Sequence, residues 1–210
     1  MPTTSTHGAS LDLWWLPLGA GGHVVRWNGL LYERLRAAWR REEPRDLFHS
    51  ALALSDGPCR YVIEMAPVWS ERTPSRGVQV EGPVGRRRLG ALRAFRYEVR
   101  CWPDGRIPDA DEAVESPVRI SEDPARVAAV LGLVARCPSY TWGRDALHCG
   151  DMWNSNSLVS WLLASTGADG AGVRPPRGGR APGWDAGVVL ARQQLDGQLG
   201  GQLSARRAAG

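Results

Sequence analysis

At 210 residues the chain fits a single domain, long enough to bury roughly 70% of the surface its unfolded form would expose. Its 43% hydrophobic and 23% charged residues are those of a globular protein. No window is apolar enough for a membrane span, so cytoplasmic residence is the expectation. The net charge of +4 is modest, and every non-histidine base is arginine, because the chain has no lysine. The densest basic run, Arg86-Arg87-Arg88, is flanked by Gly85 and Gly90 and reads as a solvated loop. Without aromatic interleaving it gives no reason to expect nucleic acid as a partner. Cys59, Cys101, Cys137 and Cys149 are scattered with no C-x-x-C pair, which argues against a zinc site and against a disulfide framework.

Residues 1–10 are small and polar and are expected to be a disordered N-terminus, ahead of one domain over 11–195 and a flexible tail over 196–210. Leu11 to Leu18 is a short apolar segment broken by Asp12 and Pro17, neither a signal peptide nor a span. The glycines at 19, 21 and 22 lack the strand and helix context of a dinucleotide loop. Asn28 can cap a helix reaching about Glu43, stopped by Pro44.

Phe48–Ser55 and Tyr61–Pro67 read as two strands joined by Asp56-Gly57-Pro58-Cys59. Val78–Val80 and Arg93–Trp102 are further strands, the latter ended by Pro103-Asp104-Gly105. Arg96, Glu98 and Arg100 alternate on one face, a pattern suited to cross-strand charge pairing. Ser121 opens a helix to Ala135 whose buried stripe is Val127, Val130, Leu131 and Val134. A later helix begins in the asparagine run and ends at Gly167. A Pro/Gly/Arg-rich loop then leads to a short helix from Trp184 to Leu195.

The most informative stretch is Asp151-Met152-Trp153-Asn154-Ser155-Asn156-Ser157, followed directly by the apolar Leu158–Leu163. Only Asn28 of the asparagines lies outside it. Carboxamides and hydroxyls at a helix start cap it, and the same N–H groups suit an oxyanion or an activated nucleophile. A second signal is His49, which opens a strand with Ala51 and Ala53 on its own face. An even hairpin loop puts Glu64 on that face too, and Pro58 favours the register in which Ser55 pairs with Arg60 and Ala51 faces Glu64.

A histidine strand, a second strand carrying Val-Ile-Glu and a late Asn-x-Asn run opening an apolar helix resemble the circularly permuted branch of the NlpC-like, papain-fold superfamily. Lecithin:retinol acyltransferase-like proteins and PPPDE peptidases share that order, and the Asn-Ser-Asn signature is similar to uncharacterised bacterial families near them. The likeness covers roughly 46–167. It implies an α+β, papain-like, permuted fold with an antiparallel sheet against helices. It also maps His49 on the family histidine, Asn154-Ser155 on the Asn-Cys pair and Glu64 on an orienting polar residue. Serine replaces the nucleophilic cysteine, and a hydroxyl needs a base during attack.

Two expectations follow. One is a hydrolase or acyltransferase acting on an amide, ester or peptide-like bond, with Ser155 as nucleophile, His49 as base and Glu64 orienting it. Asp151, Trp153, Asn154 and Asn156 would line the binding site, with no cofactor and no metal. The other is a catalytically inactive relative that binds a ligand or peptide in the same groove. His148-Cys149 with Asp151 is a lesser candidate for a thiol nucleophile or metal trio.

Overall fold

In the computed structural model the described residues are 8–18, 46–68, 75–168, 170 and 172–208, with side chains described to residue 198. Among them, six strands form one antiparallel sheet: β1 (Ser10–Pro17), β2 (Phe48–Asp56), β3 (Cys59–Pro67), β4 (Val78–Pro83), β5 (Arg96–Pro103) and β6 (Val118–Ser121). Their spatial order is β4-β5-β3-β2-β1-β6. Three helices follow in the chain: α1 (Pro124–Val134), α2 (Ser155–Ser165) and α3 (Trp184–Ala208). The protein is therefore α+β, with an antiparallel sheet and, among the described residues, α-helices that follow the strands in sequence.

The sheet has two chemically different faces. Along β2, Phe48, Ser50, Leu52 and Leu54 point one way, and His49, Ala51 and Ala53 the other. The first set joins Leu11, Leu13 and Trp15 of β1, Ile63 and Met65 of β3, and Tyr97 and Val99 of β5 in the main core. Val127, Val130 and Val134 of α1 and the Leu158–Leu163 run of α2 close that core from above. On the reverse face Leu16, Ala51, Val62 and Ile107 make a smaller cluster, roofed in part by Ala110 and Ala113. Alternation of apolar residues at a period of two, rather than continuous runs, is what lets each strand serve both clusters.

The β2–β3 register pairs Ser55 with Arg60 and Leu52 with Ile63. Continued one step, it sets Ala51 opposite Glu64, as the sequence suggests. The connection is tighter than expected, because Asp56 and Cys59 also pair, leaving Gly57-Pro58 as the turn with Gly57 at φ +58°. Strand β5 begins at Arg96, since Arg93–Phe95 forms a 3₁₀ turn. Helix α1 starts at Pro124 with Asp123 accepting the Ala125 N–H as N-cap. Gly167, at φ +78°, follows α2 as the sequence suggests.

Two strands are additions to the sequence reading. The interrupted apolar segment Leu11–Leu18 carries most of β1, which pairs with β2 and with the edge strand β6, and Asp12 is accommodated by pairing its carboxylate with Arg119 across the strands. Strand β6 is only four residues long, too short to carry a periodic signal. Order begins earlier than residue 11, since β1 starts at Ser10, and α3 continues to Ala208 rather than stopping near Leu195. The Asn28 helix and the glycines at 19, 21 and 22 lie outside the described residues. Among the described residues, no helix is long and apolar enough to cross a membrane.

Candidate functional site

The asparagine–serine run does form the N-terminus of α2. Asn154 is the N-cap, its Oδ1 accepting the N–H groups of Asn156 at 2.9 Å and Ser157 at 3.3 Å. Ser157 Oγ accepts the Asn154 N–H at 3.0 Å, completing a reciprocal capping box with serine in place of the usual Glu or Gln. This local chemistry follows from sequence alone.

The tertiary role of the run is larger. The segment 180–183 lies beside the start of β2, with the Phe48 N–H donating to Arg180 O at 2.8 Å and the Arg180 N–H to Asp46 O at 2.8 Å. Pro182 O accepts from Asn154 Nδ2 at 2.7 Å and from Asn156 Nδ2 at 2.8 Å. Asn156 Nδ2 also donates to Phe48 O at 2.9 Å, while its Oδ1 accepts from Ser50 Oγ at 2.8 Å. Ser157 Oγ is 2.7 Å from Gly183 O, and Ser160 Oγ donates to Trp184 O at 2.7 Å. Thus the motif ties α2 to the sheet on one side and to the 180–184 segment on the other.

Asp151 serves a different helix. Its carboxylate accepts the Gly183 N–H at 2.8 Å on both oxygens and the Asp185 N–H at 3.2 Å, which caps α3 from outside its own sequence neighbourhood. Burial raises its carboxyl above the ordinary range, partly opposed by these backbone donors. Trp153 is buried at 1% exposure and meets Tyr140 edge-on at 5.2 Å. Its backbone exchanges bonds with Gly143 and Arg144, so it anchors the preceding loop instead of lining an open groove.

Ser155 occupies the first turn of α2 and is 6% exposed. No described residue hydrogen-bonds its hydroxyl, in contrast with Asn154, Asn156, Ser157 and Ser160. His49 is not beside it. Because Ser50 reaches Asn156 on the helix side, His49 projects from the reverse face, where Leu16 stands opposite it in the β1–β2 register. The expected nucleophile–base pair therefore does not form, since the sheet separates its members. Burial lowers the His49 imidazole to about 4, so it is neutral at physiological pH.

Glu64 shares the reverse face with His49 but is committed elsewhere. Its Oε1 accepts from Arg100 Nη1 at 2.9 Å, directly across β3–β5. Arg100 Nε donates to Glu98 Oε2 at 3.0 Å, and Glu98 also receives Arg76 Nε at 2.7 Å and Nη2 at 2.6 Å. Glu98 and Arg100 are each 1% exposed. Among the described residues, Arg76, Glu98, Arg100 and Glu64 thus form a largely buried chain of alternating charge. Burial alone would raise the Glu98 carboxyl, but the hydrogen bonds and charges of Arg76 and Arg100 lower it overall. The alternating charges of β5 pointed to this pairing, although Arg76 could not have been found from strand alternation.

The lesser candidates have structural duties. Asp145 accepts the N–H groups of Cys149 at 3.0 Å and Gly150 at 2.9 Å, folding the loop before the motif. Burial raises the Cys149 thiol, the wrong direction for a reactive thiolate. His148 is exposed, at φ +53°. Comparisons with family models, curated proteins and solved structures return no match.

Proposed function

We propose that the chain is a catalytically silent relative of the permuted papain-like proteins, acting as a ligand- or peptide-binding module. Support for the family reading is its order of parts: the histidine strand early, an antiparallel sheet, and the motif helix late and packed on that sheet. The observation that carries the silent reading is the placement of His49 and Ser155 on opposite faces. With Asn154, Asn156 and Ser157 bonded internally, the motif has the chemistry of a structural lock. Ser50, which faces the helix, supplies no base.

A second reading keeps Ser155 as the nucleophile of a hydrolase or acyltransferase on an amide, ester or peptide-like bond. What favours it is the unbonded Ser155 hydroxyl at the positive end of a helix. One experiment separates the two. The whole chain and its Ser155→Ala variant are treated with a fluorophosphonate probe and with p-nitrophenyl esters. The silent reading expects no labelling and equal background turnover. Labelling or turnover lost in Ser155→Ala would overturn it and establish the hydrolase.

A further inference from the structure

The segment between β4 and β5 combines charge and exposed apolar surface in a way that neither the core nor the motif uses. Residues 82–97 contain no acid and five arginines. Of these, Arg96 pairs with Glu81 at 2.6 Å. Among the described residues no salt bridge engages Arg86, Arg87, Arg88 or Arg93. Leu92, at 57% the most exposed large hydrophobic residue described, and Phe95, at 40%, flank Arg93. Two successive 3₁₀ turns, Arg87–Ala91 and Arg93–Phe95, bury none of their residues. Their backbone is nonetheless internally bonded: the N–H groups of Leu89, Leu92 and Phe95 donate to Arg86, Leu89 and Leu92. The surface is therefore preformed, so docking it requires little further ordering.

From this arrangement we infer that the Arg86–Phe95 segment docks the protein on an anionic lipid surface. Arginines beside exposed Leu and Phe match a headgroup layer over an acyl boundary. A polyanion such as DNA would use the arginines but leave Leu92 without a partner. Beside the segment lies a cavity of about 460 Å3 whose lining includes Arg87, Ser139, Tyr140 and Thr141; Glu81 also lines it but is paired with Arg96, which leaves Arg87 and the hydroxyls as donors for a phosphate headgroup. The charge distribution sets the orientation. Strand β4 is one edge of the sheet and β6 the other, and the 109–123 stretch that contains β6 carries six acids against one arginine. An anionic surface at the β4 edge thus meets the cationic turns and keeps that acidic stretch distant. Asp145, in the loop neighbouring the turns, directs its oxygens to Cys149 and Gly150 N–H groups. This inference does not depend on whether Ser155 is catalytic.

The test is co-sedimentation of the full chain with phosphatidylcholine vesicles, with and without about one third phosphatidylserine. Binding is expected only to the anionic vesicles, and it should fade towards about 1 M salt, where the Debye length is ~3 Å. Arg86→Gln, Arg87→Gln and Arg88→Gln together should weaken it by about fivefold for each arginine removed. Leu92→Ser with Phe95→Ser should weaken it as well, by about tenfold or more. All five substituted positions are exposed, and an unchanged thermal midpoint confirms that the variants fold. Absence of binding to anionic vesicles overturns the inference. So does binding indifferent to Leu92 and Phe95 and matched on duplex DNA, which would mark a general polyanion site.

Discussion

Ser50 and Asn156, 106 positions apart, share a 2.8 Å hydrogen bond between two buried side chains. That contact fixes which face of β2 meets the motif helix. It puts Ser50 on the side of α2 and turns His49 to the reverse face. Asn156 then bonds Phe48 O and Pro182 O with its amide, so one side chain joins β2, α2 and the segment before α3.

The motif should therefore respond to mutation in an order opposite to that of an active site. Asn156→Ala removes three hydrogen bonds and leaves the buried Ser50 hydroxyl without this partner. It is expected to cost roughly 3–5 kcal/mol. For a chain of this size the melting temperature falls by roughly 6–20 °C. Ser155→Ala, which removes a hydroxyl with no described hydrogen bond, is expected to change stability by less than about 1 kcal/mol. Thermal melts of the two variants check this. A Ser155 variant as unstable as the Asn156 variant contradicts the assignment of roles.

Gly183, the residue just before α3, is packed tightly against the cap of α2. It has φ +92°, and an added Cβ would lie 2.2 Å from Asn154 Oδ1, the N-cap acceptor of α2. Alanine there strains the backbone and displaces the cap, so Gly183→Ala is expected to cost about 2–4 kcal/mol. Urea denaturation reads the loss. Gly57→Ala makes the comparison: it shares a positive φ, +58°, but its added Cβ meets nothing within 4 Å. It should cost only the backbone strain, about 1 kcal/mol.

How much of this was legible in the sequence depends on the range of the interaction. The capping box is local, and Asn154 with Ser157 announces it. The hairpin register was legible because parity and Pro58 restrict it. The facing of His49 was not, because alternation shows which residues share a face without saying which face the helix covers. Asp151 illustrates the same limit: its partners are the N–H groups of Gly183 and Asp185, more than thirty positions later. Nothing in the spacing of Asp151 points to α3. Strand β1 was missed for a different reason. Asp12 and Pro17 look like interruptions until Arg119 pairs with the first and the strand ends at the second.

The buried ion chain gives a prediction about the reverse face. Arg100→Met removes the Arg100 hydrogen bonds to Glu64 and Glu98, two buried carboxylates. Removing one member of a buried ion network typically costs about 3–5 kcal/mol, far more than loss of an exposed pair. Arg96→Met breaks the more exposed Arg96–Glu81 contact on neighbouring strands and should cost less than about 1 kcal/mol. The two variants compared by urea denaturation test whether burial sets the difference.

His49 makes stability depend on pH in a defined window. Its folded pKa is about 4, below the ordinary 6.5, because burial disfavours the imidazolium. Between those values the unfolded chain binds a proton that the folded chain refuses. Stability therefore rises with pH from about 4 to about 6.5, then becomes flat for this group. The full shift corresponds to a ceiling of about 3 kcal/mol, and partial access of solvent to the half-buried ring brings the effect below that. Glu98 adds a loss at lower pH, since its lowered pKa gives a stabilisation that is fully present above about 4.5 and fades as pH falls below that value. His49→Gln removes only the upper component. Urea unfolding across pH 4 to 7 should give a slope in the wild type that is absent from the variant, with both retaining the acid loss below. An identical slope in the two proteins would assign the dependence to another group and remove the evidence that His49 is held neutral within the reverse face.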